Sequence, residues 1–234
     1  MEQDIREKII VSADDFGISA LANERILELI RKGKIDRVAV MMDGDGSLNA
    51  DYVAALLASN IAIDIHLNSI KKITPDRKLS EPIFPRIIGF CMKLLRGDAR
   101  PSVMEKKWVR EIDQFRSLFG KTPDGISAHE YVYFFPAYFR VVVRLARQSH
   151  IPYVRFGTRG MIRSRSGVYR ILQYLWKINR ESFEESGMQS STYWVSLDWI
   201  QDVQVFMDSL PEGKTELVVH PERDEEAQLI DRLL

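Results

Sequence analysis

The chain reads as an α/β protein: a distorted or incomplete (β/α) barrel of about seven parallel strands, forming a single domain over residues 1–234. Three observations predict this. Short β-branched apolar runs alternate with helix-length amphipathic segments about seven times, the mark of a parallel sheet with helical crossovers. Carboxylates, histidines and an arginine recur at the far ends of those runs, where barrels of this kind assemble their chemistry. The length of 234 residues, 45% hydrophobic and 28% charged, suits one sizeable water-soluble core.

The first strand is Ile9-Ile10-Val11, with Asp14 and Asp15 where it should stop. Ser19 caps a helix in which Ala22, Ile26, Leu29 and Ile30 recur at helical spacing, and Gly33 closes it. Arg37 to Met42 is a second strand. Asp43-Gly44-Asp45-Gly46-Ser47 resembles the start of a calcium loop but lacks the full twelve-position pattern with its closing Glu, so it is read as a turn. A helix from Ala50 to Ala58 leads to a third strand, Ile61 to Ile65, ending on His66. From Leu67 to Ser102 the alternation lapses, with Pro75, Pro82, Pro85 and Pro101 punctuating a basic and apolar stretch; this predicts a lid-like insertion with one short helix.

Ser102 and Glu105 spell a capping box, and Met104, Trp108, Ile112, Phe115 and Phe119 stripe a core-facing helix that stops at Gly120. Gly125 to Ala128 forms a fourth strand that leads to His129. Pro136 opens a helix over Ala137–Gln148, and Ile151 to Val154 is a fifth strand ending at Arg155. The segment around Val168 to Lys177 is basic, amphipathic and bears Trp176; its apolar face packs on the barrel or meets a membrane surface or partner. Thr192 to Ser196 is a sixth strand, Asp198 caps a helix reaching Leu210, and Glu216 to Val219 is the last strand, ending at His220-Pro221. A final helix covers Glu225 to Leu234.

Lys+Arg and Asp+Glu both total 33, so no overall field favours nucleic acid. The single cysteine, Cys91, rules out an internal disulfide and fits a reducing, cytoplasmic compartment, where it is read as a small buried hydrophobe. The opening residues are too charged for a signal peptide, and no apolar run approaches membrane-spanning length.

Two adjacent carboxylates repel, and burying them is costly unless a cation or a proton intervenes. A solvated Asp-Asp-x-Gly turn would also explain Asp14 and Asp15 taken alone. The other ligand types decide between the two: His66, His129, Arg155 and His220 all fall at predicted strand ends, and of four histidines only His150 lies elsewhere. One shared pocket accounts for this. A carboxylate with two imidazoles holds a divalent ion while leaving positions open for water and substrate. The second carboxylate then serves as base and a further histidine as acid, which predicts metal-assisted hydrolysis of an amide or ester. No Gly-x-Ser-x-Gly elbow or Walker loop competes with it.

Four motifs in order resemble those of the YdjC-like carbohydrate deacetylases, the group that includes the diacetylchitobiose deacetylases. They are Ile10 to Ser19 with Asn23 behind it, His66-Leu67-Asn68, Ser127 to Pro136 with its approach from Glu111 to Gln114 and Phe119 to Pro123, and Glu216 to Pro221. The resemblance runs from about Lys8 to Pro221. It implies a distorted barrel that removes acetyl groups from N-acetylated sugars with a bound divalent metal, magnesium or zinc. Carried over, Asp15, His66 and His129 are the metal ligands, Asp14 the base, His220 the acid or transition-state stabiliser, and Arg155 a neighbour of the substrate.

The chain departs from the family pattern around the third motif, where Ser127 replaces an aspartate expected to orient His129, and Tyr131 and Tyr133 replace histidines. Tyr131 is thereby a candidate to stack on a sugar ring. Glu222 replaces a glycine after His220-Pro221. Two other readings fit the same residues: a sugar-binding homologue with impaired turnover, and a deacetylase of a lipid-linked sugar at a membrane surface. The partner is a small N-acetylated sugar, and a homo-oligomer is compatible with the sequence.

Overall fold

A seven-stranded, all-parallel sheet in the order β5-β4-β3-β2-β1-β7-β6 organises the computed structural model, which describes residues 6–44, 48–68, 100–164 and 167–233. The strands are β1 (Ile9–Phe16), β2 (Arg37–Val40), β3 (Ala62–Leu67), β4 (Gly125–Ala128), β5 (Tyr153–Val154), β6 (Tyr193–Ser196) and β7 (Thr215–Val219). The sheet curls into a half-barrel. Its edges are extended by isolated pairings, Gln189 with Tyr153 beside β5 and Met161 with Trp194 beside β6.

Among the described residues the crossovers carry α1 (Ala20–Arg31), α2 (Ala50–Leu57), α3 (Pro101–Phe119), α4 (Pro136–Gln148), α5 (Gly167–Ser186) and α6 (Val203–Asp208), and α7 (Asp224–Leu233) follows the last strand. Two 3-10 turns, His129–Phe134 and Leu197–Trp199, follow β4 and β6 at the mouth. The lid expected over 67–102 falls almost wholly on 69–99, outside the described residues.

Most local signals act as their chemistry dictates. Ser19 Oγ accepts from Ala22 N at the start of α1, and Gly120, in the left-handed conformation at φ +64°, stops α3. The α3 stripe of Met104, Trp108, Ile112, Phe115 and Phe119 is buried, and each aliphatic or phenyl side chain contributes on the order of 2 kcal/mol by leaving water.

Two caps differ from expectation. The Ser102–Glu105 box does not form, because Pro101 already starts α3 and Glu105 pairs with Arg144 at 2.7 Å. Asp198 sits in the 3-10 turn, accepting from Ser196 Oγ at 2.5 Å, and Asp202 caps α6 through Val205 N. Trp176 faces inward, its indole donating to the Gly157 carbonyl at 2.8 Å, and Ile171, Tyr174 and Ile178 occupy the outer face of α5.

The period-two alternation of the strands divides the sheet into two chemistries. Ile9, Val11, Ala13, Val38, Val40, Ile63, Ile65, Leu217 and Val219 belong to one hydrophobic core. The intervening residues, Ser12, Asp14, Arg37, Asp64, His66, Ser127, Tyr153, Arg155 and Glu216, bond to one another. The barrel interior is therefore polar, and that interior leads to the site.

Candidate metal centre and its surroundings

Two adjacent strand residues normally point to opposite faces, yet Asp14 and Asp15 serve one cluster. The backbone explains it. Between Ala13↔Val38 and Phe16↔Val40 the register of β1 against β2 slips, a bulge, and Asp15 takes the left-handed conformation at φ +67°, which Asp tolerates better than most residues. The turn is then tied down by Asn23, whose Oδ1 accepts from Gly17 N at 2.6 Å. Gly17 itself lies at φ +95°, and a Cβ there would meet the Met41 carbonyl oxygen at 2.6 Å. Gly17→Ala is expected to destabilise by at least about 2 kcal/mol, measured by urea unfolding.

Asp15, His66 and His129 come together, with one ligand atom from each within 4.8 Å of the others. Asp15 Oδ1 lies 3.2 Å from His66 Nε2 and 3.0 Å from His129 Nδ1. Burial pushes the Asp15 carboxyl up, but His129 and His66 outweigh it and hold it well below the usual range. The ring of His66 is fixed from behind by Ser127 Oγ, 2.8 Å from Nδ1; with its proton on Nδ1, Nε2 faces Asp15 as a lone-pair donor. Ser127, which stands where the family pattern has an aspartate expected to orient His129, thus orients His66.

Asp14 sits beside this group, its Oδ2 3.7 Å from His66 Nε2. Its other neighbour is Arg155, whose Nη1 and Nη2 each donate to one Asp14 oxygen at 2.7 Å. Burial raises the Asp14 carboxyl, and Arg155 and His66 bring it below the ordinary value. Arg155 is only 1% exposed, and it also donates through Nε to Glu216 at 2.6 Å and through Nη2 to Ser12 at 2.7 Å. The structure places it behind Asp14, with all three guanidinium nitrogens donating to neighbouring groups.

His220 follows β7. Burial lowers its pKa, but the neighbouring Glu226 carboxylate and the charges of Asp15 and Asp14 prevail and raise it to about 9. Its Nδ1 lies 3.6 Å from Glu226 Oε2, which also accepts from the His220 amide at 2.8 Å. The imidazolium is the form present at neutral pH, and it is lost as pH rises through about 9. Because the folded value is raised, the stability it contributes is complete below about 6.5, the unfolded value, and fades toward 9.

Tyr131, held at φ +57°, lies 5.3 Å from Trp194 and 5.5 Å from Trp199, ring centroid to centroid. Tyr133 takes another part: it is buried and donates to the Arg155 carbonyl at 2.5 Å.

Sequence reading missed Glu216, Glu226 and Trp199. Glu216 was visible as a charge inside an apolar strand run, and Glu226 as an acid on the first turn of a helix just after His220; nothing in the sequence marks Trp199. Asn68 is clamped beside the site, its amide donating to Glu111 Oε2 at 3.0 Å and its Nδ2 to Asp43 Oδ1 at 2.9 Å. Burial drives the Glu111 carboxyl up to about 8.

Known proteins resemble this chain along most of its length. A family model described as YdjC-like protein matches residues 8–232. A carbohydrate deacetylase from Mus musculus is 22% identical over 156 residues, 64% of this chain and 50% of the mouse protein. A chitooligosaccharide deacetylase from Salmonella paratyphi B (strain ATCC BAA-1250 / SPB7) is 27% identical over 148 residues, 61% of this chain and 57% of that protein. The match thus spans about half the length of these curated relatives.

Among solved structures, an Enterococcus faecalis V583 protein provisionally named for cellobiose-phosphate cleavage shares the fold. Its TM-score is 0.60 at 17% identity, covering 91% of this chain and 80% of that one. On the family match over 8–232, the chain belongs to the YdjC-like protein family.

Proposed function

We propose that the protein is a metal-dependent hydrolase that removes acetyl groups from N-acetylated amino sugars or short oligosaccharides. The observation that carries this reading is the convergence of Asp15, His66 and His129, from three separate strand ends, with Asp14 beside them and His220 close enough to feel the Asp14 and Asp15 charges. The names of the deacetylase relatives support the substrate class.

The donor set fits a divalent ion: one carboxylate oxygen and two imidazole nitrogens, already facing one another, which among the described residues leave part of a coordination sphere open. Two imidazoles favour zinc over magnesium. When bound, such an ion polarises a carbonyl and lowers the pKa of water. The chain's own groups do the rest. Asp14, ionised and aimed by Arg155, takes the proton of the attacking water. His220, protonated at neutral pH, gives its proton to the departing sugar amine. Tyr131 contributes a ring face for the sugar, with Trp199 beside it.

Acetate release from N-acetylglucosamine oligomers by the purified protein with added zinc or magnesium tests the reading. Absence of release across a broad panel of acetylated sugars, with metal bound, contradicts it and favours the sugar-binding homologue. If His220 is the acid, the rate falls as pH rises through about 9. Glu226→Gln removes a charge that sustains the imidazolium, so the alkaline limb of the kcat/KM profile is expected to move to lower pH.

A further inference from the structure

Behind Asp14 runs a chain of polar groups in which Arg155, Glu216 and Tyr153 are buried. Arg155 is shared: two of its nitrogens hold Asp14 and its Nε donates to Glu216 Oε1 at 2.6 Å. The second oxygen of Glu216 accepts from the Tyr153 hydroxyl at 2.5 Å, and that hydroxyl accepts from Ser191 N at 3.2 Å. Arg37 stacks over the Tyr153 ring, 4.0 Å from its centroid, and forms a two-point pair with Asp64 at 2.6 and 2.9 Å. The packing here is close: a Cβ on Gly125 would lie 2.5 Å from Asp64 Oδ1 and 2.6 Å from Arg37 Nη2.

A guanidinium buried against one carboxylate has rotational freedom about that pair. A second carboxylate on Nε removes it, because the planar fork is then fixed on two sides. A Glu in a parallel strand of a barrel core is an expensive choice for packing alone, since an apolar residue of similar volume often serves stability as well or better.

We propose that Glu216 and Tyr153 are positioning residues for Asp14: they fix the plane of Arg155, and Arg155 fixes where the Asp14 oxygens point. The inference rests on the reading of Asp14 as the base. The side-chain hydrogen bonds of both residues go to Arg155, to each other and to Ser191, not to Asp15, His66 or His129. Their removal therefore acts on turnover and leaves the affinities for substrate and metal in place.

The test compares Tyr153→Phe and Glu216→Gln with the wild-type protein in kcat, KM, zinc affinity by calorimetry and thermal midpoint, all at a temperature where each is folded. Tyr153→Phe, which loses one hydroxyl, is expected to lower kcat about threefold to tenfold, and Glu216→Gln about 100-fold, with KM and zinc affinity within about twofold. In an Asp14→Asn background, Glu216→Gln is expected to cost little further, since it acts through Asp14. Wild-type kcat in both variants overturns the proposal. So does a loss that appears in KM or zinc affinity, or one that multiplies in full with that of Asp14→Asn. Should the wild-type protein release no acetate, the deacetylase reading fails by itself. Crystal structures of the two variants then decide the inference: a displaced Arg155–Asp14 pair supports it, and an unmoved pair contradicts it.

Discussion

Asp14→Asn is expected to lower acetate release by about 10²–10⁴-fold, the range that a positioned general base supplies. The amide keeps the volume of the carboxylate and one acceptor for Arg155, so the site retains its shape while losing the group that takes a proton. Metal affinity is expected to stay within a few-fold, since the converging ligand atoms come from Asp15, His66 and His129. Breaking a buried ion pair costs about 3–5 kcal/mol, but Glu216 still balances the Arg155 charge and moderates the loss. Rates are therefore to be compared well below the thermal midpoint. An Asp14→Asn protein with undiminished turnover removes Asp14 from the mechanism. One that binds metal and sugar but releases no acetate separates base chemistry from binding.

The second large effect concerns the imidazoles. His129→Ala is expected to weaken zinc binding by more than about 100-fold, because lesser changes behind a ligand already cost about 10–100-fold. His129 suits this test better than His66. Its side chain is a quarter exposed, at 24%, so truncation leaves little cavity, whereas His66 is buried and its loss would strand Ser127. Acetate release is expected to fall in parallel and to recover partly at high zinc. Unchanged zinc affinity would show that His129 is not a ligand, and the facing nitrogens would need another explanation.

These expectations draw on sequence and structure in different measure. The parallel architecture was legible because each strand is a short apolar run followed by a helix with its own cap signals, and Ser19, Gly33 and Gly120 all mark real ends. The clustering of Asp15, His66 and His129 was legible from their places at strand ends. What the residue string does not display is orientation. The bulge and the left-handed backbone at Asp15 depend on pairing with β2, a contact between distant segments. Ser127 fell to His66 and not to its neighbour because β3 and β4 pair in a register that puts the two opposite each other. Arg155 turned inward because Glu216 and Asp14 both lie within its reach. Proximity in sequence ranked the caps at Ser102 and Asp198 too highly, where Pro101 and the Ser196–Asp198 bond prevail.

The central claim is that three side chains distant in sequence hold one divalent ion. Crystals of the protein grown with zinc, with data collected on both sides of the zinc absorption edge, test it most directly. The account predicts one anomalous peak bonded to Asp15, to His66 through Nε2 and to His129 through Nδ1, with Asp14 alongside and unbound. A peak elsewhere, or zinc held without either imidazole, would contradict it.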